Sequence, residues 1–270
     1  TVLNRFGSKN LNNMLFRTAT LLAAYCVTSC ILPADTQAEV YEVRGYLLGD
    51  SGDERAIDKY LSNALLPCLK RHGIGPIGVF TNASTDKIEI KTTFVIIPHD
   101  DPSAMTQNRE VIQSDEEYQN DAAVFFTHGN QEKSYERISS ELLVAMQCWP
   151  KVKVPAGILA NKNRVYELRT YESANEKLGQ LKVEMFNNGE VPIFIDCGII
   201  PIFIGQALVG PFTPNLTYLT VYPNEDARLA SWNSFRDHPA WKVLSKVEKY
   251  KGTVSKIHKH VLVPKAYSEM

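Results

Sequence analysis

The chain repeats itself. Val40-Tyr41-Glu42-Val43-Arg44-Gly45-Tyr46 returns 125 residues later as Val165-Tyr166-Glu167-Leu168-Arg169-Thr170-Tyr171. The same offset carries Pro67 onto Pro192, Gly73 onto Gly198 and Pro76-Ile77 onto Pro201-Ile202. Residues 40–77 and 165–202 share 11 identities in 38 positions without a gap, against about two or three for unrelated stretches of average composition. Self-similarity at a fixed offset means one structural unit built twice. The expected organisation is a first unit at 39–150, a Pro- and Gly-bearing linker at 151–163 and a second unit at 164–270.

Each copy has the same order of elements. An alternating, aromatic and β-branched run opens it at 40–47 or 165–171. A helix follows, with Ile57, Leu61, Ala64, Leu65, Cys68 and Leu69 at helical spacing in one copy and Leu178, Leu181, Met185 and Phe186 in the other. Gly73 and Gly198 stand where a left-handed residue closes a helix. Strands start at Ile77 and Ile202 and recur at 92–97 and 218–222. Helical segments span 102–125 and 225–250, where Pro239 follows Asp237-His238 as a first-turn proline behind a cap. Closing strands lie at 138–144 and 257–263. The pattern β-α-β-β-α-β is ferredoxin-like, so the fold class is α+β with two such units in tandem.

The first 38 residues stand apart. Arg5, Lys9 and Arg17 precede a short apolar run, and small residues Thr36 and Ala38 follow. That is the form of a secretory leader. A lipoprotein reading, with Cys30 lipidated after Val27-Thr28-Ser29, is the alternative and would supply the sole membrane attachment. Export to periplasm, cell envelope or medium is expected, or a mitochondrial address in a eukaryote. Beyond the leader, residues 39–150 carry net charge −8 and residues 151–270 carry +5, so no uniform basic field selects nucleic acid. Cys68, Cys148 and Cys197 are too widely spaced for a metal motif, and their disulfide pairing is open.

The Val-Tyr-Glu-Leu-Arg-x-Tyr strand, the helix closing on Gly-Ile-x-Pro, the Asp-His-Pro-Ala-Trp at 237–241 and the final strand ending Leu262-Val263-Pro264 resemble the NIPSNAP family. The likeness runs over 164–264. The first copy departs from it at Ser114-Asp115-Glu116-Glu117-Tyr118. The resemblance implies the dimeric α/β-barrel superfamily, with two units closing one barrel as a pseudo-dimer. It implies no particular reaction, because that superfamily spans haem-degrading and cofactor-free oxygenases, isomerases and proteins without known activity.

No catalytic set emerges. The Gly73-x-Gly75-x-x-Gly78 run ends a helix instead of opening one, so it is not a dinucleotide site. Glu42/Arg44/Tyr46 and Glu167/Arg169/Tyr171 each share a strand face, expected to point into the barrel, with Tyr41, Val43, Tyr166 and Leu168 beneath the helices. Paired Glu and Arg there are either a structural ion pair or an anion site built on a planar guanidinium. Candidate ligand-binding residues are Arg44, Tyr46, Arg169 and Tyr171, with His72 and His238 from the recurring motif positions. His258-x-His260 offers two ligands without a third and, among lysines, reads as a solvated strand face. Asn82-Ala83-Ser84 and Asn215-Leu216-Thr217 spell glycosylation sequons. The expected function is binding of a small ligand or protein partner without a cofactor, with a homo-oligomer open. The alternative is an oxygenase acting on a quinone-like substrate or through haem.

Overall fold

The computed structural model describes residues 38–270 apart from 51, 128, 130 and 131. The leader, with its processing sites and Cys30, lies outside the described residues. Strand β1 (Val40–Leu47) leads into α1 (Glu54–Tyr60), a π turn (Leu61–Leu65) and α2 (Leu66–Arg71). Then come β2 (Gly78–Asn82), β3 (Thr92–His99), α3 (Pro102–Ser114), α4 (Glu116–Phe126) and β4 (Arg137–Ala145). The sequence of elements starts again with β5 (Val165–Glu172), α5 (Glu176–Met185), a π turn (Phe186–Glu190) and α6 (Val191–Asp196). It closes with β6 (Ile200–Val209), β7 (Asn215–Tyr222), α7 (Glu225–Asp237), α8 (Pro239–Leu244) and β8 (Lys256–Pro264).

Local chemistry sets these boundaries. Asp53 accepts from the backbone N–H groups of Arg55 and Ala56 and starts α1, and Asp101, Asn175 and Asn224 cap α3, α5 and α7 in the same way. His238 caps α8 ahead of Pro239. Gly73 and Gly198, at φ 71° and 75°, end α2 and α6 in the left-handed region that costs glycine least.

The eight strands close into one antiparallel barrel in the order β1-β3-β2-β8-β5-β7-β6-β4. The α+β class therefore holds. The chain's two halves meet at two seams, β2 against β8 and β4 against β6. Inside the barrel pack Tyr41, Phe80, Ile96, Leu143, Tyr166, Phe203, Leu219, Leu262 and Met270. Outside it, α1 and α2 cover one apolar cluster around Leu61 and Leu69, and α5, α6 and α7 cover another around Phe186 and Phe194.

This arrangement reverses the expected faces of β1 and β5. Tyr41, Val43, Tyr166 and Leu168 point into the barrel, while Tyr46 and Tyr171 belong to the clusters beneath the helices. The alternation was right and its phase was wrong. Both faces of these strands are buried, so polarity alone does not say which one looks inward. Cys68, Cys148 and Cys197 are all free thiols.

Candidate functional site at the open end of the barrel

One end of the barrel is filled by aromatic side chains. The other, where β1, β2, β5 and β6 end and β3, β4, β7 and β8 begin, holds a cavity of about 580 Å³. Val43, Phe94 and Leu168 form its apolar wall, and Thr170, Thr217, Ser139 and Glu141 its polar one. A small residue stands at this level: Gly45 on β1 lines the cavity and pairs with Phe94 and Ser139.

Glu141 is the chemical centre of this cavity. It lies on β4 yet bonds across β6 to β7, accepting from Asn215 Nδ2 at 2.7 Å and Thr217 Oγ1 at 3.3 Å. Gly210 makes that reach feasible, since a Cβ there would stand 2.7 Å from Glu141 Cγ. Glu141 is 7% exposed. Burial pushes its pKa above the ordinary glutamate range, and the hydrogen bonds from Asn215 and Thr217 and the charge of His258 offset this only in part. Thr170 and Thr217 share a hydroxyl hydrogen bond of 2.7 Å and extend the polar wall onto β5.

Two histidines stand at the rim. His258 bonds through Nε2 to Glu172 and lies beneath Phe212, ring centroids 4.4 Å apart. Phe212 has φ 64°, a left-handed conformation that a bulky side chain adopts only under constraint. His260 turns Nδ1 towards Asp86 Oδ2, 3.4 Å away, and its ring packs near Phe94. The expectation of a solvated strand face is therefore corrected. The even positions of β8 pair with the inward positions of β5 and share their face.

None of the six residues singled out from sequence lines this cavity. Arg44 holds Glu42 through two nitrogens, at 2.9 and 3.1 Å, and reaches Tyr46 Oη at 3.4 Å. Arg169 holds Glu167, reaches Tyr171 Oη at 3.2 Å and stacks on Trp232 of α7. Both sets lie under the helices, on the other side of the sheet, because of the reversed phase. His72 pairs with Asp115 at 2.9 Å, and His238 sits 4.0 Å from Asp196 in the other half. Cys68, His72 and Asp115 come within metal-ligating distance of one another, but the Arg71 guanidinium already binds Asp115 and holds its carboxyl well below the usual range. That positive charge stands where a cation would go.

Sequence reading passed over Glu141, Asn215, Thr217 and Thr170. One signal was present: Glu141 shares parity with Leu143 on an otherwise apolar-facing strand end. Asn215-Leu216-Thr217 drew notice only as a sequon. Asn215 is 4% exposed, with its amide bound to Glu141, so it is no glycosylation site in the folded barrel.

Residues 166–269 match the NIPSNAP family. The second half of the chain is similar to NIPSNAP domains. No curated protein matches the sequence. Among solved structures, a provisionally assigned monooxygenase from Fusobacterium nucleatum is similar at 12% identity and TM-score 0.55, over 84% of this chain and 92% of that one. A second such protein, from Lactobacillus acidophilus, is similar at 11% identity and TM-score 0.51, over 84% and 94%. A NIPSNAP family protein of unknown function from Agrobacterium tumefaciens aligns with 39% of this chain and 90% of its own, at 14% identity and TM-score 0.34. At such identities the first two likenesses show the barrel fold and nothing of the chemistry. The segment that matches the family supplies β8 with both histidines, β5 with Thr170 and β7 with Asn215 and Thr217, while Glu141 comes from the half before it.

Proposed function

We propose that the chain binds a small, largely apolar molecule in the open end of its barrel and that Glu141 exchanges a hydrogen bond or proton with that molecule's one polar group. The observation that carries this reading is a buried carboxyl of raised pKa on the wall of a cavity of about 580 Å³. Such a cavity suits a ligand with an apolar body, and a carboxyl whose pKa burial raises above the ordinary glutamate range is suited to either donating or accepting a proton. Val43, Phe94 and Leu168 take the body of the ligand, and Thr170 and Thr217 flank its polar end. If the bound molecule carries an acidic phenol or enol, the same carboxylate can remove its proton. This is the first step a cofactor-free oxygenase needs, and it keeps that alternative within this reading.

Within this proposal the chain is two ferredoxin-like copies joined through 151–163, behind an export leader at 1–38. The offset repeat and the twofold order of elements support that assignment. Haem is the second reading, and one observation favours it. His260 faces the cavity with Nδ1 turned to a carboxylate, the arrangement that orients metal-bound imidazoles. His260 would hold the iron, and the group would supply redox chemistry when bound.

A thermal-shift screen of phenols, quinones and aromatic carboxylates tests the leading reading. A ligand should raise the melting temperature of the wild type, and Glu141→Gln should weaken its binding by about tenfold or more, the worth of a hydrogen bond to a charged group. A ligand that binds Glu141→Gln and wild type equally would overturn it. Titration with haem, followed by a shifted absorption band in the wild type that disappears in His260→Ala, would favour the second reading instead.

A further inference from the structure

Thirteen large apolar side chains are exposed among the described residues, and seven of them ring the open end of the barrel. Five sit on two loops. The β2–β3 loop presents Ile88 and Ile90, and the end of β6 with its turn presents Leu208, Val209 and Phe212, Val209 being 68% exposed. In the strand order, β2–β3 and β6–β7 stand opposite each other across the barrel. The two loops are therefore paired fingers flanking the cavity mouth. Ile138 and Ile257, at the starts of β4 and β8, continue the ring between them. Monomeric proteins seldom leave so much apolar surface together without something to cover it.

The charges at this end indicate what covers it. Residues 206–214 carry none at all. Lys87, Lys256 and Lys259 line the cavity mouth with Glu89 as the one exposed acid among its lining residues. Lys87, Arg137 and Lys256 are all exposed at this end. A surface of bare apolar tips with lysines set around them fits the interface of an anionic bilayer, where apolar side chains enter the acyl boundary and ammonium groups stay at the phosphates. A second copy of the same face fits it poorly, because a twofold contact would set these lysines against themselves. No described helix is long and apolar enough to cross a membrane, so this attachment is to the surface.

We propose that the open end of the barrel docks on an anionic lipid surface through the Ile88/Ile90 and Leu208/Val209/Phe212 fingers. The cavity then opens towards the bilayer, and an apolar ligand enters without crossing water.

Flotation of the full chain with vesicles tests this, using phosphatidylcholine alone and phosphatidylcholine mixed with phosphatidylglycerol. All variants share the same N-terminal segment, so differences between them report on the fingers alone. The wild type should float with the mixed vesicles and less with phosphatidylcholine, and raised salt should narrow the difference. Leu208→Ser with Phe212→Ser should lower partitioning by about tenfold or more, the effect of withdrawing two apolar side chains from the interface. Lys87→Glu with Lys256→Glu should remove the preference for phosphatidylglycerol. Melting curves check that each variant folds. Flotation unchanged by the apolar pair would overturn the proposal. So would a wild-type dimer that this pair dissociates without any vesicle binding. The assay contains no ligand, so its failure leaves the reading of the cavity standing.

Discussion

Arg169 lies over the indole ring of Trp232, its guanidinium carbon 3.6 Å from the ring centroid, and both residues hold Glu167, the arginine through Nε and the indole through Nε1. Arg228 of α7 binds Oε2 of that carboxylate, the oxygen the indole also reaches, and Glu225 holds Arg228 in turn. The pair apparent in the sequence is thus one part of a network that pins α7 to β5. Arg169→Met leaves Glu167 with two donors and should cost about 1–3 kcal/mol. Glu167→Leu leaves Arg169 without its carboxylate and Arg228 with Glu225 alone, and should cost about 3–5 kcal/mol. The double variant should stay near Glu167→Leu, since Arg228 and Trp232 still lack the Glu167 carboxylate and Arg228 keeps only Glu225. In the first half Glu42 has, among the described residues, Arg44 and Ser140 as its hydrogen-bond partners, so Arg44→Met should cost more than Arg169→Met. Urea melts decide it, and a double variant as stable as wild type would show an isolated pair instead.

Glu141 sets a pH dependence whose sign follows from burial. The folded barrel holds this proton to a higher pH than the unfolded chain does, where the carboxyl titrates at about 4.3. Its contribution to stability is complete below that value and is lost as pH rises through the folded pKa. Glu141→Gln keeps the shape without the charge. It should melt higher than wild type at pH 8 and show no advantage at pH 4. A constant difference between the two across that range would show that the carboxyl is not titrating abnormally.

Element order and strand ends were legible in the sequence because repeat, caps and left-handed glycines all report locally. Gly73, Gly198 and Pro239 stand where the structure puts helix ends and starts. The site was not legible, for two physical reasons. Strands with both faces buried carry no polarity to fix their phase, which sent Arg44 and Arg169 to the wrong side of the sheet. The cavity itself depends on what is missing at Gly45, its Glu141 on what is missing at Gly210, and both on contacts between strands 74 residues apart, as for Glu141 and Asn215. His258 and His260 were visible as a pair, but their place at the rim depends on which strands β8 joins.

Neither half should fold alone. Residues 39–150 end without β6 and β8, the partners of both their edge strands. The tail of the second half also belongs to the first. Glu269 N–H donates to Ile77 O, Lys265 binds Glu54 and Asp58, and Met270 is fully buried inside the barrel. Fragments 39–150 and 160–270 should each lack a cooperative melt and bind apolar dyes, since each leaves apolar sheet faces in water. Mixed in equal amounts, they should regain a single transition. Two separately stable monomeric fragments would refute closure as the source of stability.

Lys182 and Glu190 form a buried pair under α5, Nζ to Oε2 2.7 Å, at 4% and 1% exposure. Phe186 lies beneath the ammonium at 4.9 Å, and burial raises the carboxyl's pKa despite its partner. At the 125-residue offset the first half has Ile57 and Leu65, both buried and both apolar. The same π turn and helix therefore form with no charge at either position. That comparison predicts the outcome of substitution here. Lys182→Ile alone leaves a carboxyl in an apolar site and should cost about 3–5 kcal/mol, less at low pH where Glu190 is protonated. Lys182→Ile with Glu190→Leu reproduces the first half's residues and should return to within about 1–2 kcal/mol of wild type, the remainder reflecting imperfect packing among the surrounding rings. Denaturant melts at pH 5 and pH 8 give both numbers. A double variant as unstable as the single would mean that the pair holds this half together in a way its apolar counterpart does not.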